Sequence, residues 1–180
     1  MRSDPWSEAF AVHGSAVASF AAAAEAVEPS AWHVPRAEGK WSPALVTGHL
    51  IRTYDVLIAE VGGGAGMRIR LPAWKRLFLR LTLMPRLLRG GAFPRRVPAP
   101  PEIRPTEAPP DPASGAALFR QRAQEFETAV RNARARKPPA RITHAYFGPA
   151  SLPKAVLFCA RHIQHHQAQL GVNAAASPYT

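Results

Sequence analysis

Eight prolines fall in the stretch from Pro94 to Pro112, and that density decides much of what this chain can fold into. Proline lacks the amide hydrogen that helices and sheet ladders need, and it clashes with the preceding helical turn. The stretch must therefore cross as an extended segment lying along the surface of whatever its neighbours build. Before it, Trp6, Phe10, His13, Val17, Phe20, Ala24 and Val27 recur in steps of four and three. That is the seam of a core-facing helix, with Pro5 near its start and Pro29 beyond its end. Trp32 and Trp41 fall in the following connection and are placed to cover one end of the core. Ser42 and Pro43 supply an N-cap and a first-turn proline for a second helix. It buries Leu45, Val46, His49, Leu50, Thr53, Val56 and Leu57 and stops at Gly62-Gly63-Gly64. After the crossover, a helix over about residues 113–135 buries Phe119, Phe126 and Val130, with Leu118 beside them. A connection over 138–150 holds His144 and a short extended piece, and Ser151 caps a last helix that ends near Gly171. The expected fold class is all-α, in one domain over residues 1–180.

Several classes of protein are set aside by composition. With 180 residues and 47% hydrophobic content, the chain is long enough for one core and short for two. Its single cysteine, Cys159, has no intrachain partner, so the fold does not depend on an oxidising compartment. No export signal opens the sequence, and charge, proline or glycine breaks each apolar run well before the ~20 residues of a membrane span. A cytoplasmic protein without a membrane span is expected.

The net charge of +11 concentrates in one place: Arg68 to Arg96 contains nine Lys or Arg residues, and no Asp or Glu occurs between Glu60 and Glu102. Trp74, Leu77, Phe78, Leu81, Met84 and Leu88 keep helical spacing there, and Lys75, Arg76, Arg80, Arg86 and Arg89 supply the charge. This reads as an extra basic amphipathic helix, bent or broken at Pro85, which together with the Pro-rich crossover occupies 68–112. A solvated face, an anion-attracting mouth, or a surface for membrane or nucleic acid would each fit. The apolar stripe is expected to pack inward, which leaves mainly charges outside. Stacking on bases is therefore not expected, and neither is specific nucleic-acid binding.

The candidate chemistry lies in the last helix. Residues four apart sit one above the other on a helix, so His162 and His166 can present two imidazoles to one metal ion. They flank an apolar stripe of Val156, Ala160, Ile163 and Leu170 together with Cys159, while His165 points away. The third ligand must come from elsewhere, and His49, at a core-facing position of the second helix, is the leading candidate. His13 also lies in a core seam, where a hydrogen-bonded core histidine is the simpler reading. The glycine run carries no phosphate-loop sequence, and no nucleophile elbow or H-E-x-x-H is present.

Gly39-Lys40-Trp41-Ser42-Pro43 opening a helix, a histidine seven residues after that serine, a long interval and a final H-x-x-x-H-x-x-Q together resemble the DinB / YfiT-like superfamily. The resemblance covers nearly the whole chain. It implies a four-helix bundle of up-down-down-up topology, in which the Pro-rich crossover lets the second and third major helices run parallel. It also implies a divalent metal, zinc or nickel, on His49, His162 and His166; this sequence departs from the family pattern in placing Cys159 and His165 as competing donors close to the pair. Several members are transferases using a low-molecular-weight thiol, so a small thiol and an electrophile are the implied partners, with a homodimer as the oligomeric form. No individual catalytic residue is implied. A non-catalytic, metal-stabilised binding or stress-associated module and a metal-dependent hydrolase stay open. For the hydrolase, Asp55 and Glu60 are the nearest carboxylates to serve as base.

Overall fold

The computed structural model describes residues 4–94 and 97–171. It is mostly helical, with α1 (Pro5–Glu25), α2 (Pro43–Val61), α3 (Ala73–Leu88), α4 (Pro112–Ala133) and α5 (Leu152–Gln167). A small antiparallel hairpin precedes α5, pairing β1 (Arg141–His144) with β2 (Gly148–Ser151). Side-chain oxygens cap three of the helices. Asp4 accepts from the Trp6 amide at 3.3 Å, Ser42 from Leu45 at 3.3 Å and Asp111 from Ser114 at 2.8 Å, each satisfying an amide that the first helical turn leaves without an intrahelical partner.

Helix α1 packs on α4 and α5, and α2 packs on α4. Their shared core holds Phe20, Leu50, Tyr54, Phe119, Phe126, Val130, Val156 and Ile163, and the rings of Phe20 and Phe119 sit 4.7 Å apart. On α1 the buried face is rotated from the expected seam. Ala9, Ala16 and Ala21 turn inward beside His13 and Phe20, while Trp6, Phe10 and Val17 are half-buried. Small residues let the helix approach its neighbours closely, and the displaced aromatics are covered by cations instead. The Arg131 guanidinium lies 3.8 Å from the Phe10 ring centre and that of Arg134 4.9 Å from Trp6.

Over its described residues the crossover is extended as expected, apart from a short 3-10 turn at Pro101–Ile103. It runs along α2 and is held near its middle and near its end. Ile103 is buried in the core, and the Trp32 indole donates to the Pro109 carbonyl at 2.7 Å. Between these pins the Glu107 carbonyl lies so close to Gly48 that a Cβ there would collide with it.

Helix α3 departs from the sequence reading in two ways. It continues through Pro85 to Leu88, without the expected break. Pro85 lies in its last turn, and the carbonyl that it leaves unbonded belongs to the exposed Leu81. Four of the six residues expected to pack also face outward: Trp74 is 68% exposed, Leu77 58%, Phe78 62% and Leu81 70%, while Met84 is buried and Leu88 half-buried. A second apolar stripe, Leu79, Leu83, Met84 and Leu87, faces inward and meets Phe93, Phe147 and Phe158. Arg76, expected among the outer charges, turns toward Gly148 with its Nε buried and without a hydrogen-bond partner. Among the described residues, no helix is long and apolar enough to cross a membrane.

Candidate metal centre

His49 comes from the second turn of α2, and His162 and His166 from successive turns of α5. The structure brings the three together, with one ring nitrogen of each within 4.8 Å of the others. The Nε2 atoms of His162 and His166 are 3.0 Å apart, and those of His49 and His162 are 3.4 Å apart. Two nitrogens on a tetrahedral ion at 2.0–2.1 Å would be separated by roughly 3.3 Å, so two edges of the triangle already have the spacing that coordination requires.

Protonation also suits a cation. A carbonyl can only accept, so His49 must carry its proton on Nδ1 to donate to Ile103 O at 2.7 Å, leaving the Nε2 lone pair bare. Likewise His166 Nδ1 donates to Gln169 Oε1 at 3.0 Å, and the Gln169 amide is 3.3 Å from His165 Nε2. At least two bare lone pairs thus converge with His162 Nε2, which has at most one proton to share between them. A divalent ion would satisfy all three, and hydrogen bonds on the outer ring nitrogens of two of them are the usual device for fixing ligand tautomer and orientation. Burial reinforces the neutral state. It lowers His49 to about 4 and His166 to about 3, and it drives His162 well below its ordinary range, with the neighbouring histidines adding to the effect.

The cluster borders a cavity of about 1140 Å³. Trp41 packs its ring 5.0 Å from that of His49, and Phe93 stands 6.0 Å from His162. Leu79, Leu83, Met84 and Leu87 of α3 form part of the wall. Among the described residues, the lining includes Arg36, Lys40 and Lys154 and no Asp or Glu. Such a space takes a largely apolar ligand and offers it no carboxylate base.

A chain of hydrogen bonds and packing accounts for the other candidates. His13 lies in the core between the Glu127 carboxylate and the Tyr54 hydroxyl, each at 2.8 Å, and stands outside the cluster. His165 sits outside it too, stacked on Phe93 with ring centres 4.9 Å apart. Cys159 is buried next to the Tyr54 hydroxyl and is not part of the three-histidine group; burial pushes its thiol up to about 12, so without a metal it is no nucleophile at neutral pH. Asp55 pairs with Arg122 at 3.0 Å. The Glu60 carboxylate accepts from the Thr143 amide at 2.9 Å.

His144 reads from sequence as a loop residue. The hairpin instead carries it to the cavity wall, where burial lowers it to about 4 and its Nδ1 accepts from the Tyr146 amide at 3.1 Å. Ile103 could not be foreseen as a partner of His49 either, because a backbone carbonyl has no residue signature. Gln169 is visible as the glutamine of the final motif, but its bond to His166 is not.

A family model of the DinB superfamily matches residues 15–170. The chain belongs to the DinB superfamily. That match spans all three clustered histidines, Gln169 and the crossover of this DinB protein. No curated protein and no solved structure matches it.

Proposed function

We propose that this DinB protein is a metal-dependent transferase that binds zinc or nickel on His49, His162 and His166 and joins a low-molecular-weight thiol to an electrophile. The observation that supports it most is the convergence of three neutral imidazoles, two oriented from behind by Ile103 and Gln169, on the border of an apolar cavity. Three protein ligands leave a coordination position for water or substrate, the arrangement of catalytic sites. A divalent ion there supplies Lewis acidity, which lowers the pKa of a thiol and yields a sulfur nucleophile at neutral pH. The residues supply the rest. His49, His162 and His166 stay unprotonated as ligands, the apolar wall from α3 and Phe93 excludes water, and Trp41 limits the space beside His49. A new carbon–sulfur bond would form as the electrophile's bond to its leaving group, a halide for instance, breaks; the leaving group departs with the bonding electrons as an anion and the thiol proton goes to solvent.

The cavity also bears on the alternative chemistry. Hydrolysis at a metal site of this kind calls for a general base, and neither Asp55 nor Glu60 lines the space. The DinB-like up-down-down-up order of α1, α2, α4 and α5 in one cytoplasmic domain is part of the same reading, and the long extended crossover between α2 and α4 supports that order. The test is consumption of a small thiol with a generic aromatic electrophile. Metal-loaded protein should catalyse it, chelator-treated protein should not, and readdition of zinc or nickel should restore the rate. Equal rates with and without metal would refute the proposal.

A further inference from the structure

The outer face of α3 is the largest feature that the metal centre leaves unexplained. Trp74, Leu77, Phe78 and Leu81 form one continuous apolar ridge on a single helix. Scattered exposed hydrophobics need no explanation, but a contiguous ridge of four large side chains marks a surface that is covered in use. The exposed cations Lys75, Arg86 and Arg89 lie toward one flank and Arg80 toward the other, and the Lys75 ammonium sits 5.2 Å from the centre of the Trp74 ring.

We propose that this face docks on the surface of an anionic phospholipid bilayer. Trp74, Leu77, Phe78 and Leu81 would enter the acyl boundary, with Lys75, Arg80, Arg86 and Arg89 among the headgroup phosphates. Charge decides the occupant. From residue 61 to residue 101 the chain has no acidic side chain, and nine Lys or Arg residues fall between 68 and 96. A second copy brought face to face would set these cations against their equals with no carboxylate from the same segment between them. Nucleic acid would neutralise the cations and stack on Trp74 and Phe78, but it has no apolar phase for Leu77 and Leu81. An anionic bilayer meets both demands at once, and a helix that joins an aromatic and leucine face to Lys and Arg at its margins is the usual form of an interfacial helix. The opposite face of the same helix walls the cavity through Leu79, Leu83, Met84 and Leu87, so docking would hold that apolar space against the lipid surface. None of this requires the metal centre.

Flotation of the full chain with vesicles tests the proposal. Vesicles of equimolar phosphatidylglycerol and phosphatidylcholine should carry the protein, and phosphatidylcholine alone should not. The exposed pair Leu77→Ser and Leu81→Ser should lower partitioning about tenfold or more while leaving helical content and metal content unchanged. Lys75→Glu with Arg80→Glu should lower it as well. In the parent chain, brominated acyl chains should quench tryptophan fluorescence, and Trp74→Phe should remove the quenched component. That readout does not depend on how the serine variant folds. Failure to float with the anionic vesicles would overturn the proposal, as would loss on charge reversal with no response to the serine pair, or quenching unchanged by Trp74→Phe. A dimer, or binding to duplex DNA, that the serine pair abolishes in a chain that does not float would assign the ridge to that occupant instead.

Discussion

Two helical glycines should respond to alanine in opposite ways. At Gly14, exposed in the middle of α1, a Cβ would meet nothing within 4 Å, so Gly14→Ala should stabilise the protein by ~0.5–1 kcal/mol through helix propensity alone. Gly48 would gain about as much from propensity, but its Cβ would collide with the Glu107 carbonyl and lie 3.5 Å from Pro105 Cβ. Overpacking of this kind costs ~1–3 kcal/mol, which outweighs the gain over most of that range. The crossover has little room to retreat, because Ile103 and Pro109 are held on either side of the collision. Relief must strain the bond between His49 Nδ1 and Ile103 O, the interaction that orients the His49 ring. Losing such an outer partner typically lowers metal affinity by about 10–100-fold. Urea unfolding of metal-free protein would measure the first effect, and competition with a chromophoric chelator the second. A Gly48→Ala chain as stable as Gly14→Ala, with the parental metal affinity, would refute the assignment of the crossover as the support of His49.

Cys159→Ser should keep the fold, the metal and most of any thiol-transfer activity, since burial holds the thiol protonated with a pKa of about 12. Loss of metal in that variant, measured by elemental analysis, would place the sulfur among the ligands. Acid should weaken the metal-free protein. His49 and His144 are lowered from 6.5 to about 4 by burial, so the unfolded chain takes up their protons first. Their contribution is fully present above pH 6.5 and is lost as pH falls toward 4, by at most ~3 kcal/mol for each. Urea midpoints that stay level across that window would contradict the neutral state of both side chains.

How far the sequence could be read depended on whether a feature was local. The apolar stripe of α5, Val156, Ala160 and Ile163, is buried as its period indicates, with Leu170 just beyond the helix end also buried, and that stripe alone selects His162 and His166 over His165. The register of α2 turned His49 inward for the same reason. Helix α3 carries apolar residues on both faces, with Met84 common to both patterns, and periodicity cannot say which face meets the protein. The choice is made by Phe93, Phe147 and Phe158, which come from elsewhere in the chain. His144 was out of reach on similar grounds. Its place on the cavity wall depends on the pairing of Ile142 with Ala150 and of His144 with Gly148, and on the packing of that hairpin against α5.

Metal content of purified variants decides whether His49, His162 and His166 jointly hold one divalent ion. The parent chain and His165→Ala should each retain about one zinc or nickel per chain, whereas His49→Ala, His162→Ala and His166→Ala should each lose most of it, since three protein ligands are the minimum of a site of this kind. Equal metal content in all five proteins, or loss only in His165→Ala, would contradict the account.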